Sequence, residues 1–381
     1  MKRVWLALIT FGLTVAAAPA DVAPADLAPA WSSQNLMALE RWVAMAPLDA
    51  LPEPSSAALD KALAGGDQAA IDKAASELAL KLARMYLLGA ASAGERKGWN
   101  IEDSDKAIDV EGLLRGSLPL GTLDAFYASL LPRNPEYVAL RTAYSSETDP
   151  AKRAAVARNM ERWRWMPRSL GDEYVLVNAA AFEAQLWRDG REAGTWKVIV
   201  GKTRTPTPVF NAQITGVIFN PWWEVPASIV RESVGRLVRR SPATARARGY
   251  VWGGGRYRQR PGANNALGQM KLVMPNRFTV YMHDTPNKEL FDKEVRAFSH
   301  GCIRTGDAIG YAATLLEGVK SRADIDAIVA GGQTTTIDLA RPVPVYVAYF
   351  TARSEPNGEV LVLPDIYRRD PRIAVAAAPA N

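Results

Sequence analysis

Apolar residues recur at helical spacing between residues 31 and 144, and the pattern changes to short alternating runs after Pro167. In the first region Ile71, Ala74, Ala75, Leu78, Leu82 and Met85 form one stripe, with Gly89 as a stop signal. A second apolar group spans residues 113–131 and ends at Pro132 and Pro135. A polar stretch between residues 144 and 161 leads into a short helical linker. Beyond it, strands are predicted at 174–178, 182–187, 195–200, 213–219, 277–283, 334–339, 344–351 and 359–363, and a helix over 228–238. The pattern predicts an α+β protein: an all-helical scaffold domain, then a mainly-β, sandwich-like domain with inserted helices. Residues 241–265, rich in Arg and Gly, read as a long loop that serves as a lid. Their Gly253-Gly254-Gly255 run is no phosphate loop, since no Lys-Ser/Thr follows it.

The first twenty residues read as an address. Lys2 and Arg3 precede an apolar stretch over residues 4–15, too short to span a bilayer, and Ala18-Pro19-Ala20 fits a cleavage site after Ala20. The expected organisation is a signal peptide (1–20), a flexible leader (21–30), the helical scaffold (31–150), a linker (151–162), the β-rich domain (163–370) and a flexible tail (371–381). No later segment is long and apolar enough for a membrane helix. The net charge is +6 and falls to +4 without residues 1–20, which suits an anionic polymer but lacks the dense basic stripe of a nucleic-acid binder.

One cysteine, Cys302, cannot form an internal disulfide, and in an exported chain a free thiol risks oxidation. Its surroundings, Ser299-His300-Gly301-Cys302-Ile303-Arg304, suggest why it is kept. The only two histidines, His283 and His300, lie within twenty residues of it. If residues 278–283 form a strand, Phe278, Val280 and Met282 share one face, and Thr279, Tyr281 and His283 the other. Thr285 is placed to cap a helix beginning at Pro286, and Thr305 one from Gly306 to Val319 whose positive end, with Arg304, favours a thiolate. Gly301 permits tight geometry and close substrate approach. A Cys–His pair supports nucleophilic catalysis, and spacing alone leaves either histidine as the base. The competing readings are a metal site of His283, His300 and Cys302, which lacks the usual paired ligand spacing, and a buried structural thiol.

The segments Tyr281-Met282-His283-Asp284-Thr285-Pro286 and Ser299-His300-Gly301-Cys302-Ile303-Arg304 resemble the signature of YkuD-type L,D-transpeptidases. Glu161-Arg162-Trp163-Arg164-Trp165, Asn220-Pro221-Trp222, Asn265-Ala266-Leu267-Gly268 and Asp365-Ile366-Tyr367 resemble the large Gram-negative branch of that family. The resemblance implies a periplasmic, cofactor-free and metal-free enzyme that joins peptidoglycan stem peptides, as donor and acceptor, with other cell-wall enzymes as candidate partners. It implies Cys302 as nucleophile and His283 as base, with the Asp284 carbonyl orienting the imidazole. Tyr281 and the backbone at Gly301-Cys302 would line the oxyanion site, and Ser299, His300 and Arg304 would shape the site and hold substrate. Trp222 is a candidate substrate-stacking residue. The product would be a cross-link between two third residues, and carbapenems would trap Cys302. A carboxypeptidase or thiol hydrolase on the same fold, and a non-catalytic wall-binding protein, are the alternatives. Two departures stand out: no room for a peptidoglycan-binding module between residues 144 and 161, and Arg304 where smaller relatives carry Asn.

Overall fold

The computed structural model describes residues 31–355 and 357–375; the expected signal peptide and leader, and most of the expected tail, lie outside these residues. Seven helices come first: α1 (Ser33–Met45), α2 (Ala57–Gly65), α3 (Gln68–Leu88), α4 (Val110–Ser117), α5 (Leu123–Leu130), α6 (Pro135–Ser146) and α7 (Pro150–Trp163). The predicted stripe becomes α3, which Asp67 caps through the Ala69 amide and Gly89 terminates. Helices α1 to α5 share one apolar core around Leu39, Leu82, Tyr86 and Tyr127. Helices α6 and α7 contribute instead to the core of the β-rich region, through Tyr137, Leu140, Val156 and Met160. Only three residues separate α6 from α7.

The strands are β1 (Trp99–Asn100), β2 (Glu173–Asn178), β3 (Glu183–Arg188), β4 (Arg191–Gly201), β5 (Val209–Phe219), β6 (Trp223–Glu224), β7 (Tyr250–Gly253) and β8 (Arg256–Gln259). They continue with β9 (Met270–Val273), β10 (Met282–His283), β11 (Ala297–Ser299), β12 (Ile303–Thr305) and β13 (Thr335–Ala348). The pairing order β5-β13-β2-β3-β4-β12-β10-β9 returns from β9 to β5, so the predicted sandwich closes on itself as a barrel. Closure leaves no long free edge and fills the interior with the inward side chains of every strand. Val175, Val177, Val198, Val217, Leu272, Met282, Ile303 and Val345 are all buried there. The two strands predicted at 334–339 and 344–351 are one strand, β13, with a register shift between Asp338 and Val343.

Three local expectations are corrected. The strand predicted over 277–283 is only Met282–His283. Upstream, Asn276 accepts hydrogen bonds from the amides of Phe278 and Val280, and Thr279 turns to φ 56°, so an Asn-centred turn replaces the strand. Thr285 does not start a helix at Pro286; a 3-10 turn runs over Lys288–Asp292. The helix after Cys302 is Ala308–Leu315, capped by Asp307 through the Gly310 amide, not by Thr305, whose side chain is buried.

The predicted lid loop is ordered secondary structure. A continuous helix over residues 227–240 with a π-helical middle, a short helix Pro242–Ala247 and the β7–β8 hairpin form a cap whose third strand is β6. Gly254 and Gly255 both take positive φ (59° and 77°), as the hairpin's tight turn requires. Buried Gln259 and Asn265 pin its root: Gln259 donates to the carbonyls of Arg248 and Asn264, and Asn265 to those of Pro221 and Arg260.

A buried polar joint ties the helices to the barrel. Arg164 donates to the Asp49 carbonyl and, at 3.0 Å, to the Tyr137 hydroxyl, while Glu161 accepts from the Ala91 amide at 2.7 Å and the Trp165 indole at 3.0 Å. Arg168 donates to the carbonyls of Tyr86 (2.9 Å), Leu87 and Leu130 (2.8 Å), the carbonyl ends of α3 and α5. Such carbonyls are unpaired within their helices and favour a cation. Truncation of Arg168 to Ala is therefore expected to cost about 1–3 kcal/mol, read as a lower denaturation midpoint; an unchanged midpoint would show that these carbonyls find other partners.

Candidate functional site

Strands β10 and β12 run parallel, with Met282 opposite Ile303 and His283 opposite Arg304, and the Ile303 amide donates to the Tyr281 carbonyl at 3.0 Å. Alternation does the rest. Met282 and Ile303 point into the barrel and are fully buried, so Tyr281, His283, Cys302 and Arg304 emerge together on the opposite face. The Tyr281 and His283 rings lie 5.5 Å apart, edge to face. Tyr281 and Cys302 are neighbours close enough for the phenol to bear on the ionisation of the thiol. Sequence parity had paired Tyr281 with His283 correctly, although the strand that carries them is shorter than predicted.

His283 Nδ1 bonds the backbone carbonyl of Asp284 at 2.5 Å. A carbonyl only accepts, so Nδ1 carries the proton and Nε2 presents its lone pair. The Asp284 backbone is itself fixed: its amide donates to the Met270 carbonyl at 2.8 Å, and its carboxylate accepts from the Gln269 amide and pairs with Lys288. Burial pushes the His283 imidazole down to about 3, helped by the charges of Arg304 and Lys271 and opposed by the Asp284 carbonyl. The ring is neutral at physiological pH, the form a general base needs.

The Cys302 loop is held from within. Ser299 is buried; its hydroxyl donates to the Cys302 carbonyl and accepts from the Gly301 amide at 3.0 Å. Both bonds shape the turn that presents Cys302. Thr207 donates to the Gly301 carbonyl at 2.9 Å. Gly301 sits at φ 115°, a conformation L side chains rarely adopt.

The expected bias toward thiolate is not what the surroundings produce. Burial pushes the Cys302 thiol up, outweighing the influence of Tyr281 and the nearby Lys271 and Arg304 charges. The helix thought to help begins only at Ala308, beyond the reach of its terminal dipole. The resting pair is a neutral thiol beside a neutral imidazole. Lys271 was missed by sequence reasoning. It stands opposite His283 in the antiparallel β9–β10 pair, with its ammonium 4.0 Å from the Tyr281 ring centroid. Burial pushes the Lys271 ammonium down, and the Cys302 thiolate would pull it back up.

The cap covers this cluster. Trp223 is buried on β6, and Tyr281 packs with it against the apolar core of the cap. His300 Nε2 lies 2.7 Å from Glu232 Oε2 on the cap helix, so this histidine is engaged by the lid. Trp222, the expected stacking residue, is partly covered by Arg258, whose guanidinium lies 4.6 Å from its ring centroid. Glu232 is distant in sequence and carried no local signal. Among the described residues, no three His, Cys, Asp or Glu side chains are grouped so as to hold a metal ion.

Residues 172–329 match the family model described as the YkuD L,D-transpeptidase catalytic domain. Over 242 residues the chain is 30% identical to a curated Haemophilus influenzae protein named "Putative L,D-transpeptidase", across 58% of this chain and 49% of that protein. The chain thus spans about half the length of the curated relative it matches. Among solved structures, L,D-transpeptidase 3 from Mycobacterium tuberculosis in complex with a faropenem-derived adduct is 16% identical, covering 46% of this chain and 60% of that one at a TM-score of 0.26. An L,D-transpeptidase from Mycobacterium tuberculosis H37Rv is 15% identical, covering 46% and 57% at 0.25. Superpositions at that level carry no weight; the family model and the curated relative do.

The neutral resting pair has a measurable consequence. With the thiol raised, thiolate accumulates only as pH climbs through a value above the ordinary one of about 8.5. The rate of Cys302 alkylation by iodoacetamide is expected to rise beyond about pH 9 with no plateau near neutrality. A plateau below about pH 7 would mean a pre-formed thiolate–imidazolium pair.

Proposed function

We propose that this chain, whose residues 172–329 match the YkuD L,D-transpeptidase catalytic domain, is an exported peptidoglycan L,D-transpeptidase acting through Cys302. The observation that carries the reading is the β10–β12 register, which lines up Tyr281 and His283 with Cys302 while the Asp284 carbonyl fixes the imidazole tautomer. In the proposed reaction the Cys302 sulfur attacks the carbonyl of the third residue of a tetrapeptide stem, a diaminopimelate. His283 Nε2 takes the thiol proton as the S–C bond forms and returns it to the amine of the departing D-alanine as the C–N bond breaks. A side-chain amine of a second stem then attacks the thioester. A new C–N bond forms, the C–S bond breaks, and the amine's proton returns through His283 to sulfur. Tyr281 and the backbone amide of Cys302 are suited to receive the oxyanion. A neutral His283 fits this scheme, because it acts during attack rather than by storing an ion pair.

Arg304 and the Lys271 ammonium lie near Cys302 and suit a carboxylate-bearing donor. His300 is assigned a role at the cap rather than in proton transfer, on the strength of its bond to Glu232. Hydrolysis of the thioester is the competing outcome, and the cap over Tyr281 favours transfer by keeping water from it.

His283→Ala is expected to lower acylation by about 10²–10⁴-fold, whereas His300→Ala weakens it less; the reverse ranking would reassign the base. Incubation of purified protein with tetrapeptide-rich wall fragments is expected to yield dimers joined through third residues. Tripeptides without dimers would make it a carboxypeptidase.

A further inference from the structure

The positive charge of this protein is concentrated in one place. Residues 223–267, the cap, hold nine arginines, no lysine, and only two acidic residues, Glu224 and Glu232. That surplus of seven exceeds the +6 of the whole chain, so everything outside the cap is close to neutral. Arg256 and Arg258 pair with Glu224, and Glu232 is engaged by His300. The other seven arginines have no acidic partner among the described residues, and all seven are exposed. Arg236, Arg239 and Arg240 follow each other at helical spacing, which puts them on one side of the cap helix. Self-repulsion among such charges destabilises the cap unless an external anion meets them.

The cap also displays the single large apolar side chain it exposes, Trp252, 64% accessible at the hairpin and edge-to-face with Tyr257 at 4.8 Å. Arginine with an exposed aromatic is the composition of a recognition surface. One exposed ring is too little apolar area to insert into a bilayer, since surface-bound helices bury a whole apolar face. A hydrated polymer that offers both carboxylates and ring faces fits better. The cap meets the catalytic cluster at two points, through Trp223 packed with Tyr281 and through Glu232 on His300.

We infer that the arginine-rich cap is a docking surface for a carboxylate-bearing glycan–peptide polymer, holding the wall strand against the protein while its stems enter the site. The assignment rests on the peptidoglycan reading above, and it supplies an attachment surface within the catalytic region itself. Arginine forks hold the carboxylates, and Trp252 stacks on a sugar or peptide face.

The test uses the whole chain. Pelleting with protein-free peptidoglycan sacculi, on a Cys302→Ala background that prevents turnover, is expected to remove the protein from solution at low salt and to release it as salt is raised. Arg236→Gln/Arg239→Gln/Arg240→Gln should weaken binding about tenfold or more, Trp252→Ala should weaken it further, and sacculi with amidated carboxylates should bind no better than the variant. With Cys302 present, the arginine variant should be acylated by a carbapenem at the unaltered rate, which separates docking from chemistry and shows the fold intact. Equal binding of variant and parent, or binding to phosphatidylglycerol vesicles but not to sacculi, overturns the inference. Arginine-dependent binding to sacculi by a protein that no carbapenem acylates would leave the surface standing and sink the proposed enzyme instead.

Discussion

The parallel pairing of two very short strands, β10 and β12, is the constraint on which the candidate site depends. Two residues on one and three on the other are enough, because the barrel closes around them: β9 flanks β10, and β4 flanks β12. The inward residues, Met282 and Ile303, are locked by full burial, and a one-residue slip would turn both into the opposite face. The same slip would bury the thiol side and expose the core. Fold stability and the alignment of Cys302 with Tyr281 and His283 are therefore one requirement. The Ser299 hydroxyl and the positive φ of Gly301 extend that rigidity through the turn that presents Cys302.

Around this frame the electrostatics favour a reagent that is quiet until substrate arrives. Burial raises the thiol and lowers the imidazole, so neither is charged at rest, while Lys271 and Arg304 stand ready for negative charge that develops on sulfur or substrate. A neutral, largely buried thiol reacts slowly with stray oxidants and alkylating agents. The cap thus joins three roles: it shields the thiol, it packs on Tyr281 through Trp223, and it carries the charge of the molecule.

Much of this was legible in the sequence, for identifiable reasons. The helix–strand division followed from periodicity, and Tyr281, His283 and Cys302 were paired by parity and by the scarcity of histidine and cysteine. The extent of the strand was overestimated because Pro275-Asn276 was not weighed as a turn signal, although Asn276 replaces the ladder with its own side chain. In the cap the Arg/Gly-rich composition suggests a loop, whereas Tyr250, Trp252 and Tyr257 flank a hairpin turn. Lys271 and Glu232 could not be found locally. They reach the site only through barrel closure and the fold of the cap, and single-sequence patterns do not encode long-range register. The thiolate expectation failed for a related reason: proximity to Arg304 is visible in sequence, and the burial that outweighs it is not.

The central claim is that this frame makes Cys302 an acyl acceptor with His283 as its base. Intact-mass and peptide-mapping spectrometry after incubation with a carbapenem tests it most directly. The account predicts a single covalent adduct on the peptide containing Cys302, formed by the wild-type protein and lost in His283→Ala. No adduct, or an adduct that forms equally well without His283, would contradict it.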